Sequence, residues 1–306
     1  MLRVQEYLKR FTLKKLSQEF FIDTKICYDL GVVCLDYQMF SPIELPIVQE
    51  CRCLILELDT WDVVCKSFNA FYDYDDINAQ KTLSNFNWDN ARAMVKYDGA
   101  LIVMYYYKGQ WNIGMRKSAD GSLLTTAIHG VPSKYTFAEL TKLTIEEMGY
   151  SFDEFTSKLN PNIFYSFELC APETRYGVVY NDRCLYLIGA VDKQTLKDID
   201  IYSLDYPITK AKYVIVNSKE EVLRMMENVP GIQLEGYVVI DSNMNRIKFR
   251  NPNYLDVMLP ASADDELQAL FEIMDTISSA TCLSGGTWTV TVTATGESGI
   301  STPPGE

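Results

Sequence analysis

Histidine is almost missing from this chain of 306 residues, since His129 is the one imidazole. A Ser-His-Asp triad would hang on that single residue, whose position reads as an ordinary polar loop. No Gly-x-x-x-x-Gly-Lys-Ser/Thr phosphate loop and no Gly-x-Gly-x-x-Gly fingerprint occurs, so two common backbone cradles for nucleotides are excluded. No apolar run approaches the ~20 residues that a membrane span needs. The segment from Met1 to Thr12 interleaves charged with apolar residues and lacks a signal-peptide core. The 8 cysteines show no Cys-x-x-Cys pairing, which argues against zinc and for a reducing compartment. Positive charge is scarce too: Lys+Arg 28 against Asp+Glu 41 leaves a formal net charge of -13, so any polyanion must be held by a local patch.

What is present centres on Lys96-Tyr97-Asp98-Gly99. Ala91 to Val95 and Ala100 to Tyr107 are rich in apolar, β-branched and aromatic residues and read as two strands of a hairpin, with Asp98-Gly99 as its turn. Asp-Gly between apolar runs is also common hairpin chemistry with no catalytic meaning. With histidine so scarce, lysine is the better candidate nucleophile. Its amine is uncharged in only about one molecule in a thousand at physiological pH, so neighbouring cations and a divalent metal would have to favour the neutral form.

The companions of Lys96 sharpen this reading. Glu235-Gly236 opens the strand Tyr237 to Ile240, and Arg246 to Arg250 answers it across the loop Asp241 to Asn245, with Lys248 and Arg250 on one face. Phe164 to Leu169 is a strand that embeds Glu168 among apolar and aromatic residues, where a carboxylate must be paired, protonated or close to a metal. Cys51 to Leu56, Val63 to Asn69 and Ile113 to Ser118 each read as a strand carrying a cation, respectively Arg52, Lys66 and Arg116. Arg52, Lys66, Arg116, Lys248 and Arg250 are placed around a triphosphate, stabilising charge on the transferred and leaving phosphates. The ordinary alternatives are solvated surface cations and, for Glu168, a salt-bridged core carboxylate. Glu168 and Glu235 are the expected metal residues, acting largely through bound water because magnesium sheds its water reluctantly.

In this order the motifs resemble the covalent nucleotidyltransferases, most closely the bacteriophage-type RNA ligase 1 family. Lys96-Tyr97-Asp98-Gly99 is similar to that family's nucleophile motif and Arg116-Lys117-Ser118 to its basic-Gly-Ser motif. Phe167-Glu168-Leu169 with Ala171 to Arg175 is similar to its Phe-Glu segment. Glu235-Gly236 and Lys248-Phe249-Arg250 are similar to its last two motifs, and Arg52 and Lys66 to Asn69 to its upstream ones. The resemblance runs from about Leu45 to Leu255 and implies an α+β nucleotidyltransferase domain, antiparallel sheets flanked by helices with ATP between them. It implies a nucleotide site of Arg52, Lys66, Phe68, Lys96, Asp98, Gly99, Arg116, Glu168, Glu235, Lys248, Arg250 and Tyr254, with Glu168 accepting ribose hydroxyls. Lys96, Glu235, Lys248 and Arg250 are its implied catalytic residues, and Mg2+, or Mn2+ in its place, its metal. The implied activity is ATP-dependent joining of 5′-phosphate and 3′-hydroxyl RNA ends, single-stranded or from a broken loop, with DNA ends as the alternative. Related readings are a DNA ligase, an RNA capping enzyme or a catalytically silent nucleotide-binding module.

Three departures stand out: Cys53 and Lys117 occupy glycine positions of the family pattern, Arg250 replaces a lysine, and the chain ends soon after Tyr254. Helices are predicted in the N-terminal segment 1–20, over Phe137 to Leu159 with a break near Gly149, after the capping-box spacing Ser218 to Glu221, and from Ser262 to about Ser278. A main domain over 1–258 is expected to be followed by a short helix and Gly/Ser/Thr-rich tail over 259–306, with an exposed strand near Trp288. The protein is expected to be a cytoplasmic monomer, in the host cytoplasm if viral.

Overall fold

The computed structural model describes residues 1–126, 132–206, 208–255, 281–283 and 287–289. His129 and the helix expected from Ser262 to Ser278 lie outside them. The chain divides into two units, Met1–Met258 and Leu259–Glu306.

The first unit opens with the short helices α1 (Arg3–Leu8) and α2 (Leu13–Phe20) where one helical segment was expected. Thr12 separates them, its hydroxyl capping α2 by accepting from the Lys15 amide. Next comes a four-stranded meander of β1 (Ile22–Cys27), β2 (Val32–Tyr37), β3 (Leu54–Glu57) and β4 (Val63–Lys66), with α3 (Pro46–Glu50) before β3. Cys51 to Cys53 are thus a turn after α3 and not the start of a strand. The short helix α4 (Gln80–Ser84) precedes β5 (Ala91–Lys96), β6 (Ala100–Tyr107), β7 (Gln110–Met115), β8 (Leu124–Thr126) and β9 (Pro132–Thr136). Helices α5 (Phe137–Glu147) and α6 (Phe152–Thr156) flank Gly149, where φ is +91°. Strands β10 (Ile163–Cys170), β11 (Cys184–Asp192), β12 (Asp198–Ile199) and β13 (Tyr213–Val216) follow. Then come α7 (Lys219–Met226), capped by Ser218, and the hairpin β14 (Gly236–Ile240) and β15 (Arg246–Arg250). In the second unit β16 (Thr281–Leu283) pairs with β17 (Thr287–Thr289).

The predicted β5–β6 hairpin does not form. β5 joins a sheet of order β13-β5-β14-β15, whereas β6 joins one of order β12-β11-β10-β6-β7, every ladder antiparallel. Lys96 to Gly99 therefore cross from one sheet to the next. Gly99 is required by a close approach and not by a hairpin turn, because a Cβ there would stand 2.4 Å from the Leu169 carbonyl oxygen.

Burial on both faces of β6 explains its near-continuous apolar run. Leu101, Val103 and Tyr105 pack against the N-terminal meander through Cys34, Ile55 and Cys65. Ile102 and Met104 face the opposite way, into the core shared with Leu140, Phe155, Met94 and Val238. The outer face of the meander is covered by Val4, Leu8, Leu16 and Val48 of the N-terminal helices, and α7 covers the outer face of the β5–β14 sheet through Val222 and Met226. At the head of β14, Gly236 has φ +151° and a Cβ would lie 2.0 Å from the Phe249 carbonyl oxygen. Gly236→Ala is expected to cost about 3 kcal/mol or more, read as a lowered midpoint in urea unfolding.

Candidate active site

Residues opposite one another on paired strands point to the same side of a sheet, so the register fixes what lines the cleft. Lys96 is level with Gly236 and Arg250, Met94 with Val238 and Lys248, and Arg92 with Ile240 and Arg246. One face thus carries the amine at one end, an apolar floor of Met94 and Val238, and the cations Arg246, Lys248 and Arg250 along β15.

The Lys96 amine donates to the Glu235 carboxylate, the two side chains being 23% and 10% exposed. Burial pushes the Glu235 carboxyl up, against the pull of Lys96. Glu168 shares a face of β10 with Phe164 and Ser166 and sits where that face leaves the meander and opens to a cavity. Burial raises its carboxyl to about 8, opposed by Lys96 and reinforced by Glu235. The cavity brings Lys96 and Glu168 together with Arg52, Phe68 and Arg246, and Ile188, Phe71 and Val238 add apolar walls. It takes in about 430 Å³ with its open mouth.

The other predicted cations do not line this cavity. Lys248 and Arg250 do share a face, and both reach Asp73, at 3.0 and 3.1 Å. Asp73 is carried there by a segment along β15, where the Tyr74 amide donates to the Lys248 carbonyl (2.8 Å) and the Lys248 amide to the Tyr72 carbonyl (2.9 Å). Burial lowers the Lys248 amine from its usual value, although Asp73 opposes it. Lys66 is buried, donates to the Ser67 carbonyl (3.0 Å) and Asn69 Oδ1 (2.7 Å), and is likewise lowered by burial. Arg116 holds the buried Asp36 at 2.6 Å. Arg52 donates to the Tyr37 hydroxyl (2.9 Å), and its guanidinium lies 5.3 Å from the Phe68 ring centre.

Asp98, within the nucleophile loop, and Tyr254, both expected at the nucleotide, are buried and bonded to one another. Asp98 is 2% exposed and its carboxylate accepts the amides of Tyr176, Gly177 and Val178, the last two at 2.6 Å. Tyr254 donates its hydroxyl to Asp98 and packs against Gly177, where a Cβ would meet its ring at 2.7 Å. These residues pin the 176–178 loop to the crossing between the two sheets and thereby fix Lys96. The motif's acidic residue and aromatic thus brace this loop through these bonds.

Arg246 falls outside the family's motifs. It lines the cavity, is 8% exposed and lies 4.9 Å from the Phe68 ring centre. The signal was the alternation 246, 248, 250 on one strand face.

The two glycine replacements keep glycine-like backbones, with φ +48° at Cys53 and +68° at Lys117. A left-handed non-glycine residue costs roughly 1–2 kcal/mol. Lys117 gives in return only an exposed ion pair with Asp23 at 2.9 Å, worth little. Lys117→Gly is therefore expected to raise stability by about 1 kcal/mol, or about 2–4 °C in Tm for a domain of this size, measured by thermal unfolding.

Among the described residues no group of three or more His, Cys, Asp or Glu side chains could hold a metal. Glu168 and Glu235, both acting on Lys96, are a hard-oxygen pair that suits Mg2+ or Mn2+ retaining much of its water.

Residues 50–254, about two-thirds of the sequence, match the RNA ligase family of the T4 type 1 kind. The chain belongs to the bacteriophage-type RNA ligase 1 family. This RNA ligase family member is 26% identical over 304 residues to a protein of Autographa californica nuclear polyhedrosis virus described as a bifunctional polynucleotide kinase/RNA ligase, with 89% of the chain covered. The chain spans 42% of that relative's length. Solved structures of similar shape include a Naegleria gruberi RNA ligase variant with ATP and Mn (TM-score 0.44, 14% identity, 58% of this chain and 54% of that one). The Naegleria gruberi RNA ligase with PPi is another (TM-score 0.43, 14% identity, 62% and 59%). Among the described residues no helix is long and apolar enough to cross a membrane.

Proposed function

We propose that this chain is an ATP-dependent RNA ligase that works through a lysyl-AMP intermediate. The observation that carries the reading is one cavity, in a chain of this family, that unites Lys96, the Glu168 carboxylate and Arg52, with Glu235 paired to the Lys96 amine. In the first step the Lys96 nitrogen bonds to the α-phosphorus of ATP while the bond to the β-phosphate oxygen breaks, releasing pyrophosphate and a proton. AMP then passes to a 5′-phosphate on an RNA strand, freeing the amine. A 3′-hydroxyl next attacks the 5′-phosphate, expels AMP, and joins the strands.

Glu235 holds the amine in place, and Asp98 with Tyr254 holds the loop that carries it. Lys248 and Arg250 face the outer phosphates from β15, and Glu168 accepts the ribose hydroxyls. A divalent cation bound at Glu168 and Glu235 would offset charge on the phosphates and loosen the hold of Glu235 on the amine. The seven cysteines of the first unit are all free thiols, in keeping with cytoplasmic RNA repair.

Intact mass after incubation with ATP and Mg2+, followed by a panel of 5′-phosphorylated RNA and DNA strands, tests the reading. One added adenylate at Lys96 and joined RNA are expected. Labelling by GTP in place of ATP would favour capping, and nucleotide binding without pyrophosphate release would leave a silent module.

A further inference from the structure

We propose that Arg246 reads the purine edge of ATP, donating a guanidinium N–H to a ring nitrogen at the far end of the slot from Lys96; this rests on the cavity being the nucleotide site. Arg246 lies four residues along β15 from Arg250, the residue level with Lys96, which at strand spacing is roughly 14 Å. Between the two ends lie Met94 and Val238, faced by Ile188 and Phe68. An apolar slot suits a flat ring and not a polyanion, and Phe68 is fixed against Gly189, where a Cβ would meet its ring at 2.7 Å. With the α-phosphorus at the amine and the outer phosphates near Lys248 and Arg250, the base occupies this slot.

Arg246 is built as a directional donor and not as a phosphate clamp. Asp198 on β12 neutralises it at 3.0 Å, and the Met244 carbonyl lies 3.4 Å from its other terminal nitrogen. Its Nε is buried with no hydrogen-bond partner. An unsatisfied buried N–H is costly, so such groups call for an acceptor, and a purine edge presents ring nitrogens of that kind.

The test compares self-adenylylation with ATP and with its 1-deaza, 3-deaza and 7-deaza analogues, in the wild type and in Arg246→Met. One analogue is expected to bind the wild type about 10- to 100-fold more weakly than ATP. Arg246→Met should bind ATP and that analogue alike, with the loss in KM and not in kcat. If no deaza substitution weakens the wild type, the proposal falls, whether or not the variant folds. Equal weakening of every triphosphate in Arg246→Met, with weaker pyrophosphate in the reverse reaction, would mean a phosphate contact and overturn it. A wild type that takes up no AMP from ATP overturns the ligase reading itself, whereas a labelled wild type indifferent to ring nitrogens overturns only this assignment.

Discussion

Lys96→Ala is expected to lower the protein-bound adenylate formed from ATP by at least about a thousandfold, the scale seen when a covalent nucleophile is removed. Sealing of a strand that already carries 5′-AMP should persist at a reduced rate, because there the attacking group is the 3′-hydroxyl and the amine does no covalent work. The contrast between the two steps separates a lost nucleophile from a damaged fold. Stability needs its own control, since removing Lys96 leaves Glu235 buried without its partner, and breaking such a pair is destabilising. Lys96→Ala/Glu235→Gln should restore much of the melting temperature without restoring adenylylation. Intact mass, gel sealing assays and thermal melts read the three quantities. An adenylate of normal yield on Lys96→Ala would refute the assignment of the nucleophile.

The parts of the site legible in the sequence are those set by local pattern. Lys248 and Arg250 share a face because a strand has a period of two, and Glu168 has a raised carboxyl because its neighbours on β10 are apolar. The parts that were not legible depend on pairing between distant segments. Asp98-Gly99 carries the local signal of a hairpin, yet β5 gains more partners from β13 and β14, and β6 from β7 and β10, than from each other. The amine consequently stands at a seam between sheets and not on a hairpin tip. Arg52 looked like a strand residue because Cys51 and Cys53 alternate around it; the left-handed backbone at Cys53 instead ends the turn after α3. That conformation was foreshadowed by the family's glycine there, whose demand on φ survives the change of residue. Arg246 is not marked by the motif it adjoins, which begins two residues later, although the same alternation that orients Lys248 also orients Arg246.

Glu168→Gln is expected to make the protein more stable at alkaline pH while weakening its use of ATP. In the wild type the folded carboxyl is raised to about 8 from an ordinary 4.5, chiefly by burial. Between those values the native state holds a proton that the unfolded chain has released, so stability falls as pH rises through the window and is fully present only below it. The loss by pH 8 is on the order of 3 kcal/mol, reduced from the full linkage value because the carboxyl keeps partial exposure to the cavity. Glutamine has no proton to lose, so Glu168→Gln should flatten that decline and melt about 6–12 °C above the wild type near pH 8. The Glu235, Asp36 and Glu50 carboxyls are also raised by burial; Asp36 and Glu50 cancel between the two proteins, so the difference between the profiles reports Glu168 together with its coupling to Glu235. An amide retains acceptor capacity for ribose hydroxyls but loses the charge that would hold a divalent cation, so KM for ATP should rise about tenfold or more. Urea unfolding of both proteins from pH 4.5 to 8.5 checks the prediction, and parallel profiles would show that Glu168 is not the buried acid that couples this fold to pH.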